Sequence, residues 1–246
     1  MLQRQSINYA DIDTALASAP LTGSYATARQ KGGLKMAGNT DVLTATKFRS
    51  RFVEYAMQTN RPGAKPRRNP KTNTPFTYQE AIDYADSVQG FVDGGTSVLK
   101  QETLSVGTAV HEAIHKTAKN SGFSYSFGFH GNEGATEYFT QHVCTHNGLG
   151  CRTSVYRAEL RAIEAFLAVT GLDPAILAEA YFVGGARPLE AALGKPIVDA
   201  WAKEMKQGNL GVAKARLKRA IRKHGLPAAA PAPAPAPAPS PAPGNP

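Results

Sequence analysis

Apolar residues recur at helical spacing along most of the chain. Thr44–Gln58 places Phe48, Phe52, Val53 and Ala56 on one side, which predicts a helix with one buried face. Tyr78–Phe91 resumes that spacing through Ala81, Ile82, Tyr84 and Val88. From Leu104 to Lys119, Val106, Val110 and Ile114 recur every four residues, Ala109 and Ala113 widen the stripe, and Asn120-Ser121-Gly122 supplies a stop. Further helices are predicted over Gly134–His142, over Tyr156–Val169, and from Asp173-Pro174 through Phe182. Leu189–Met205 has room for one or two more, and Ile12–Ala19 for a short one. The strand signal is weaker. Thr96-Ser97-Val98-Leu99, after the break at Gly94-Gly95, reads either as a short strand or as a connecting loop. Residues 60–76 hold four prolines and are expected to form an exposed loop. The pattern describes a mainly α domain of the α+β class with a small edge sheet and a helical C-terminal part. Its expected organisation is an N-terminal extension over 1–40, a main domain over 41–210, a basic helix over 211–226 and a disordered Pro/Ala tail over 227–246.

Composition narrows this picture only a little. A hydrophobic content of 42% excludes wholesale disorder. Of the formal charge of +9, five positive charges lie in 61–72 and a net seven in 202–224, so the remainder carries −3. Basicity therefore belongs to two segments. Val212–Lys223 pairs an apolar side (Val212, Leu217, Ala220, Ile221) with six Lys and Arg elsewhere, but it lacks interleaved aromatics. A solvated basic helix is expected there, and no specific nucleic-acid partner. No apolar run reaches the length of a transmembrane helix. Met1–Gly23 lacks the apolar core of a secretory signal, so the chain is expected to be made in the cytoplasm without a signal peptide.

Cys144 and Cys151 flank an Asn-Gly turn. A disulfide, two reduced thiols, and a second zinc site with His142 and His146 are all open on spacing alone.

The chemistry is concentrated in His111-Glu112-Ala113-Ile114-His115 and Asn132-Glu133-Gly134-Ala135-Thr136-Glu137. Two histidines four apart on a helix point the same way and can converge on one ion, and Glu112 beside them can take a proton from metal-activated water. Seventeen residues separate His115 from Glu133, enough to end one helix and start an antiparallel one. Glu133 then offers a third ligand. Glu137, four residues further on, can accept a hydrogen bond from a ligand histidine and fix its tautomer.

These two runs, with Tyr138-Phe139 after them, resemble the gluzincin metallopeptidases. The resemblance covers about thirty residues. It implies a zincin-like domain over 41–210, Zn2+ held by His111, His115 and Glu133, and Glu112 as the general base of peptide-bond hydrolysis. It also implies that a strand at 96–99 would be the edge that pairs with substrate backbone. An oxyanion donor besides zinc is expected, with Tyr156, Tyr138 and Tyr181 as candidates and Tyr156 preferred because it follows a loop near the ligand helices. The stretch from Tyr156 to Gly185 is similar to small HExxH domains of bacterial toxins and secreted effectors. That similarity implies a secreted or cell-delivered endopeptidase with a protein substrate, and a delivery apparatus or immunity protein as partner. The rival expectations are a binding protein whose zinc site is structural or vestigial, and a zinc amidase acting on cell-wall peptide. His130, His142 and His146 are expected to be surface or packing residues, with His130 near enough to touch the site.

Overall fold

The computed structural model describes residues 7–17, 21–30, 36–60, 63–72, 74–118, 121–151 and 155–226. The Pro/Ala tail expected over 227–246 lies outside the described residues, as do Arg61, Lys119 and Asn120. The protein is mainly helical with a small mixed sheet, in the order α1 (Tyr9–Leu16), α2 (Thr22–Gln30), β1 (Thr40–Leu43), α3 (Ala45–Met57), α4 (Tyr78–Ser87), β2 (Gly90–Asp93), β3 (Thr96–Lys100), α5 (Val106–Ala118), α6 (Phe123–His146), α7 (Arg157–Thr170), α8 (Pro174–Glu179), α9 (Arg187–Leu193), α10 (Lys195–Gln207) and α11 (Leu210–His224).

The helices expected from periodicity form with shifted ends, and one differs in kind. The segment over Tyr78–Phe91 is helical only to Ser87, after which Val88 turns extended and Gly90–Asp93 becomes a strand. The tight turn at Gly94-Gly95 folds β2 back on β3, and the ladder supplies hydrogen bonds that a longer helix would have made internally. The strand at 96–99 is real and is the middle of the sheet: β3 pairs antiparallel with β2 and parallel with β1, in the order β1-β3-β2. The helix predicted over Gly134–His142 is longer in both directions. It begins at Phe123, is kinked at Gly128 (φ 70°, ψ −170°), and runs on to His146.

Two apolar cores result. The smaller joins α3 and α4 to the sheet through a ring cluster in which Phe52 lies within 5.2–6.1 Å of Tyr55, Phe76, Tyr84 and Phe91. The larger is helical. The segment expected as an N-terminal extension contributes Ile12, Leu16, Leu21 and Tyr25 to it, and α11 adds Ala213, Leu217 and Ala220. Trp201 is its largest buried side chain and stacks on Phe166 at 4.1 Å. The middle of α5, from Gly107 to Ile114, is buried on every side, polar positions included, so its His and Glu residues sit inside the protein.

The described part of 60–76 is the largely exposed loop expected, and it is anchored at Arg67. Arg67 donates its N–H to Ala56 O, and its own carbonyl accepts from Phe76 N–H, so the strap is laced onto α3. Cys144 and Cys151 form a disulfide, which removes both sulfurs from the alternative second zinc site. No helix among the described residues is long and apolar enough to cross a membrane.

Because Trp201 fills the centre of the helical core, Trp201→Ala is expected to destabilise the protein by about 3–5 kcal/mol. Denaturant unfolding followed by far-UV circular dichroism checks this. A loss below 1 kcal/mol would contradict the packing described.

Candidate metal centre

α5 delivers His111 and His115 one turn apart, and α6 packs against it carrying Glu133 and Glu137, also one turn apart. Three donor atoms meet there. His111 Nε2 is 3.2 Å from Glu133 Oε2, His115 Nε2 is 3.1 Å from the same oxygen, and the two Nε2 atoms are 3.1 Å apart. Ligands of tetrahedral zinc at 2.0–2.1 Å stand about 3.3–3.4 Å from one another, so the triangle is slightly tighter than a zinc site of two imidazoles and one carboxylate requires. His111, His115 and Glu133 could therefore hold a metal ion.

Hydrogen bonding on the far side of each ring fixes which nitrogen is free. His111 Nδ1 lies 3.2 Å from Glu137 Oε2; a carboxylate can only accept, so Nδ1 carries the proton. The other oxygen of Glu137 accepts from Gln141. For His115 two groups lie 3.2 Å from Nδ1, the Thr136 Oγ1 hydroxyl and the Asn132 side-chain amide. The single Thr136 hydroxyl proton goes to Asn132 O at 2.7 Å, which leaves Oγ1 to accept from Tyr181 O–H and from His115 Nδ1–H. The Nε2 lone pair of His111 is thus directed into the triangle, and so is that of His115 when its Nδ1–H donates to Thr136, the arrangement a metal needs. Sequence reasoning missed Thr136 and the part Tyr181 plays. Tyr181 comes from the π-helical turn Ala180–Gly184 that widens the end of α8, and no spacing rule connects it to His115.

Without an ion, three electron-rich atoms so close need a proton between them. Burial opposes charge on His111, but the hydrogen bonds to Glu133 and Glu137 and the nearby carboxylates outweigh it and raise its pKa to about 10. Burial would likewise raise Glu133, yet His115 and His111 hold it far below the usual carboxylate range.

Glu112 lies next to this cluster, 7% exposed, with no hydrogen-bond partner among the described residues. Burial raises its pKa; the two histidines partly offset this, and the Glu133 charge adds to it. Its room comes from Gly90 on β2: a Cβ there would lie 2.7 Å from Glu112 Cγ.

Tyr156, at the N-terminus of α7, stacks on His111 with ring centres 5.3 Å apart and planes 13° apart. Its phenol is driven strongly upward by burial first and then by the Glu133 charge and hydrogen bond. α7 can come this close because residue 134 is Gly: a Cβ there would be 2.7 Å from Glu159 O. The other two tyrosine candidates are elsewhere. Tyr181 is buried behind His115, and Tyr138 packs on His142 at 4.3 Å between their ring centres. His130 does not reach the cluster; its Nδ1 pairs with Glu159 at 2.9 Å, and its ring faces Gly208.

The cluster opens into a cleft of ≈ 760 Å³ whose walls include Glu112, His115, Glu133 and Tyr156 on one part and Tyr55, Arg67 and Tyr84 from the α3–α4 region on another. Tyr84 is a second residue that sequence reasoning left in a helix face. Its phenol pKa is raised by burial first, then by Glu133. A smaller pocket of ≈ 60 Å³ lies against His111, Glu112, Glu137 and Tyr156.

No protein-family model, curated protein sequence or solved structure matches the chain. The site's reading therefore rests on its own geometry.

A metal must displace the proton that His111 holds. That proton stabilises the ion-free fold fully below the ordinary histidine value, near 6.5, and its contribution is lost as pH rises through about 10. Zinc affinity should accordingly strengthen from pH 6 to pH 8, with proton release visible by calorimetry in buffers of different ionisation enthalpy. Thr136→Val removes the acceptor that orients His115 and should weaken zinc binding about 10- to 100-fold at pH 7.5. Unchanged affinity would mean Thr136 does not set the tautomer.

Proposed function

We propose that the protein is a zinc-dependent peptidase of the gluzincin type, with His111, His115 and Glu133 as metal ligands and Glu112 as general base. The observation that carries this reading is the Glu112 carboxylate: buried, free of hydrogen-bond partners among the described residues, and on the wall of the cleft into which the three-ligand cluster opens. A purely structural metal site has no use for such a group. Three protein ligands rather than four among the described residues also favour an open coordination position.

Bound zinc would supply Lewis acidity to the scissile carbonyl and lower the pKa of water. The chain's own residues do the rest. Glu112, its pKa raised by burial toward neutrality, accepts the proton of the attacking water and hands it to the departing amine. Glu137 and Thr136 hold the two ring Nδ1 protons in place, which keeps both Nε2 lone pairs on the ion. Tyr156, kept neutral by its raised pKa and hydrogen-bonded to Glu133 in the ion-free site, would turn its O–H to the oxyanion that develops at the attacked carbonyl.

The biological setting we propose is action outside the producing cell, as a secreted effector or toxin directed at a protein. The Cys144–Cys151 disulfide supports it, since such bonds persist in oxidising compartments.

Glu112→Gln is the direct test. The variant should bind zinc at the wild-type stoichiometry and lose at least 10³-fold in cleavage of a mixed peptide library read by mass spectrometry. Full activity with zinc bound would sink the assignment of the base. Gly90→Ala provides a check drawn from the geometry alone: its methyl group must displace the Glu112 side chain, so cleavage should fall about tenfold or more while zinc content stays near one.

A further inference from the structure

We infer that Arg67 forms a carboxylate-binding subsite in the cleft, taking either an acidic side chain or the C-terminal carboxylate of the polypeptide that is cut. The inference rests on the peptidase reading above and adds to it a substrate class.

Arg67 is held unusually well for a residue of a proline-rich strap. Its backbone N–H donates to Ala56 O at 2.7 Å, and its carbonyl accepts from Phe76 N–H at 2.9 Å. Its Nε donates to Tyr55 O at 3.2 Å, and its guanidinium lies 4.0 Å above the Tyr55 ring. These four contacts fix the backbone, the stem and the plane of the fork. They leave the two terminal NH2 groups with no partner among the described residues. Nearby arginines differ: Arg51 pairs with Asp93 at 2.7 Å and Arg49 with Asp86 at 2.8 Å. Arg67 is therefore a pre-oriented, half-buried cation with no ion-pair partner among the described residues, in the same cleft as Glu112, Glu133 and Tyr156.

A guanidinium fork matches a carboxylate by two parallel hydrogen bonds, and partial burial strengthens the pairing. Orientation by Tyr55 in advance lowers the entropy lost on binding. The cleft also contains the Glu112 and Glu133 carboxylates, so a singly charged carboxylate suffers less repulsion there than a doubly charged phosphate would.

The test uses the zinc-loaded full chain and a peptide library with free and amidated C-termini, read by mass spectrometry. The inference expects one of two patterns: an Asp or Glu at a fixed position from the cut bond, or cuts confined to peptides with a free C-terminus. In Arg67→Met, which keeps the apolar contact with Tyr55, the preference for the acidic substrate over its neutral counterpart should fall about 10- to 100-fold. In Arg67→Glu it should turn toward Lys or Arg. Cleavage with neither pattern, or with a pattern unchanged in both variants, overturns the subsite and leaves the peptidase reading standing. Absence of cleavage by the wild type overturns the peptidase reading, and binding then decides the subsite. Fluorescence anisotropy on Glu112→Gln protein compares matched Glu- and Gln-containing peptides and matched free and amidated C-termini. Arg67-dependent preference for the carboxylate form supports the subsite; equal affinities overturn it. The overturning outcome, equal affinities, needs no change at Arg67, so a poorly folding variant cannot mask it.

Discussion

Three electron-rich atoms, two imidazole nitrogens and a carboxylate oxygen, stand within 3.1–3.2 Å of one another between α5 and α6. Such an arrangement repels itself unless a cation or a proton lies between the atoms, and bringing it inside a protein costs desolvation as well. The packing around it serves to hold that triangle. Glu137 and Gln141 secure His111 from behind, and Tyr181, Thr136 and Asn132 secure His115. The neighbouring large side chains are mostly aromatic and rigid, which limits how far the two helices can move apart to relieve the repulsion.

Two close approaches complete the surroundings. β2 passes against Glu112 only because position 90 has no side chain, and α7 reaches α6 only because position 134 has none. The first sets where the carboxylate can lie, and the second brings Tyr156 over His111. The Cys144–Cys151 disulfide ties the end of α6 to the segment leading toward Tyr156. Two positions without side chains thus control how closely Glu112 and Tyr156 approach the His111–His115–Glu133 cluster.

Much of the site was legible before any coordinates. The i, i+4 spacing of His111 and His115, and again of Glu133 and Glu137, carries geometry directly, since a helix converts such spacing into a shared face. Regular periodicity likewise placed α3, α5, α7 and the basic α11. Failures occurred where local pattern competes with tertiary pairing. Val88–Phe91 reads as helix continuation, yet the hairpin with β3 offers its backbone better partners. The 60–76 strap is the exposed loop that its proline and charge predict, but its attachment to α3 uses backbone groups that no side-chain pattern reveals. Tyr138, Tyr156 and Tyr181 are indistinguishable as letters, and only their placement separates a packing ring, a cleft-lining phenol and a buried donor.

The sequence by itself determined the helical character, the pairs of residues that share a helix face, and the chemical types able to bind a metal and move a proton. Those properties depend on neighbours within a turn or two of the chain. The packing of separate elements is what sets Thr136 and Tyr181 behind His115, puts Glu112 against Gly90 with no hydrogen-bond partner among the described residues, and brings Arg67 into one cleft with the His111–His115–Glu133 cluster. Each of those joins residues from separate elements, and such meetings are fixed by how whole helices and strands pack, where burial and the satisfaction of backbone hydrogen bonds outweigh local preference.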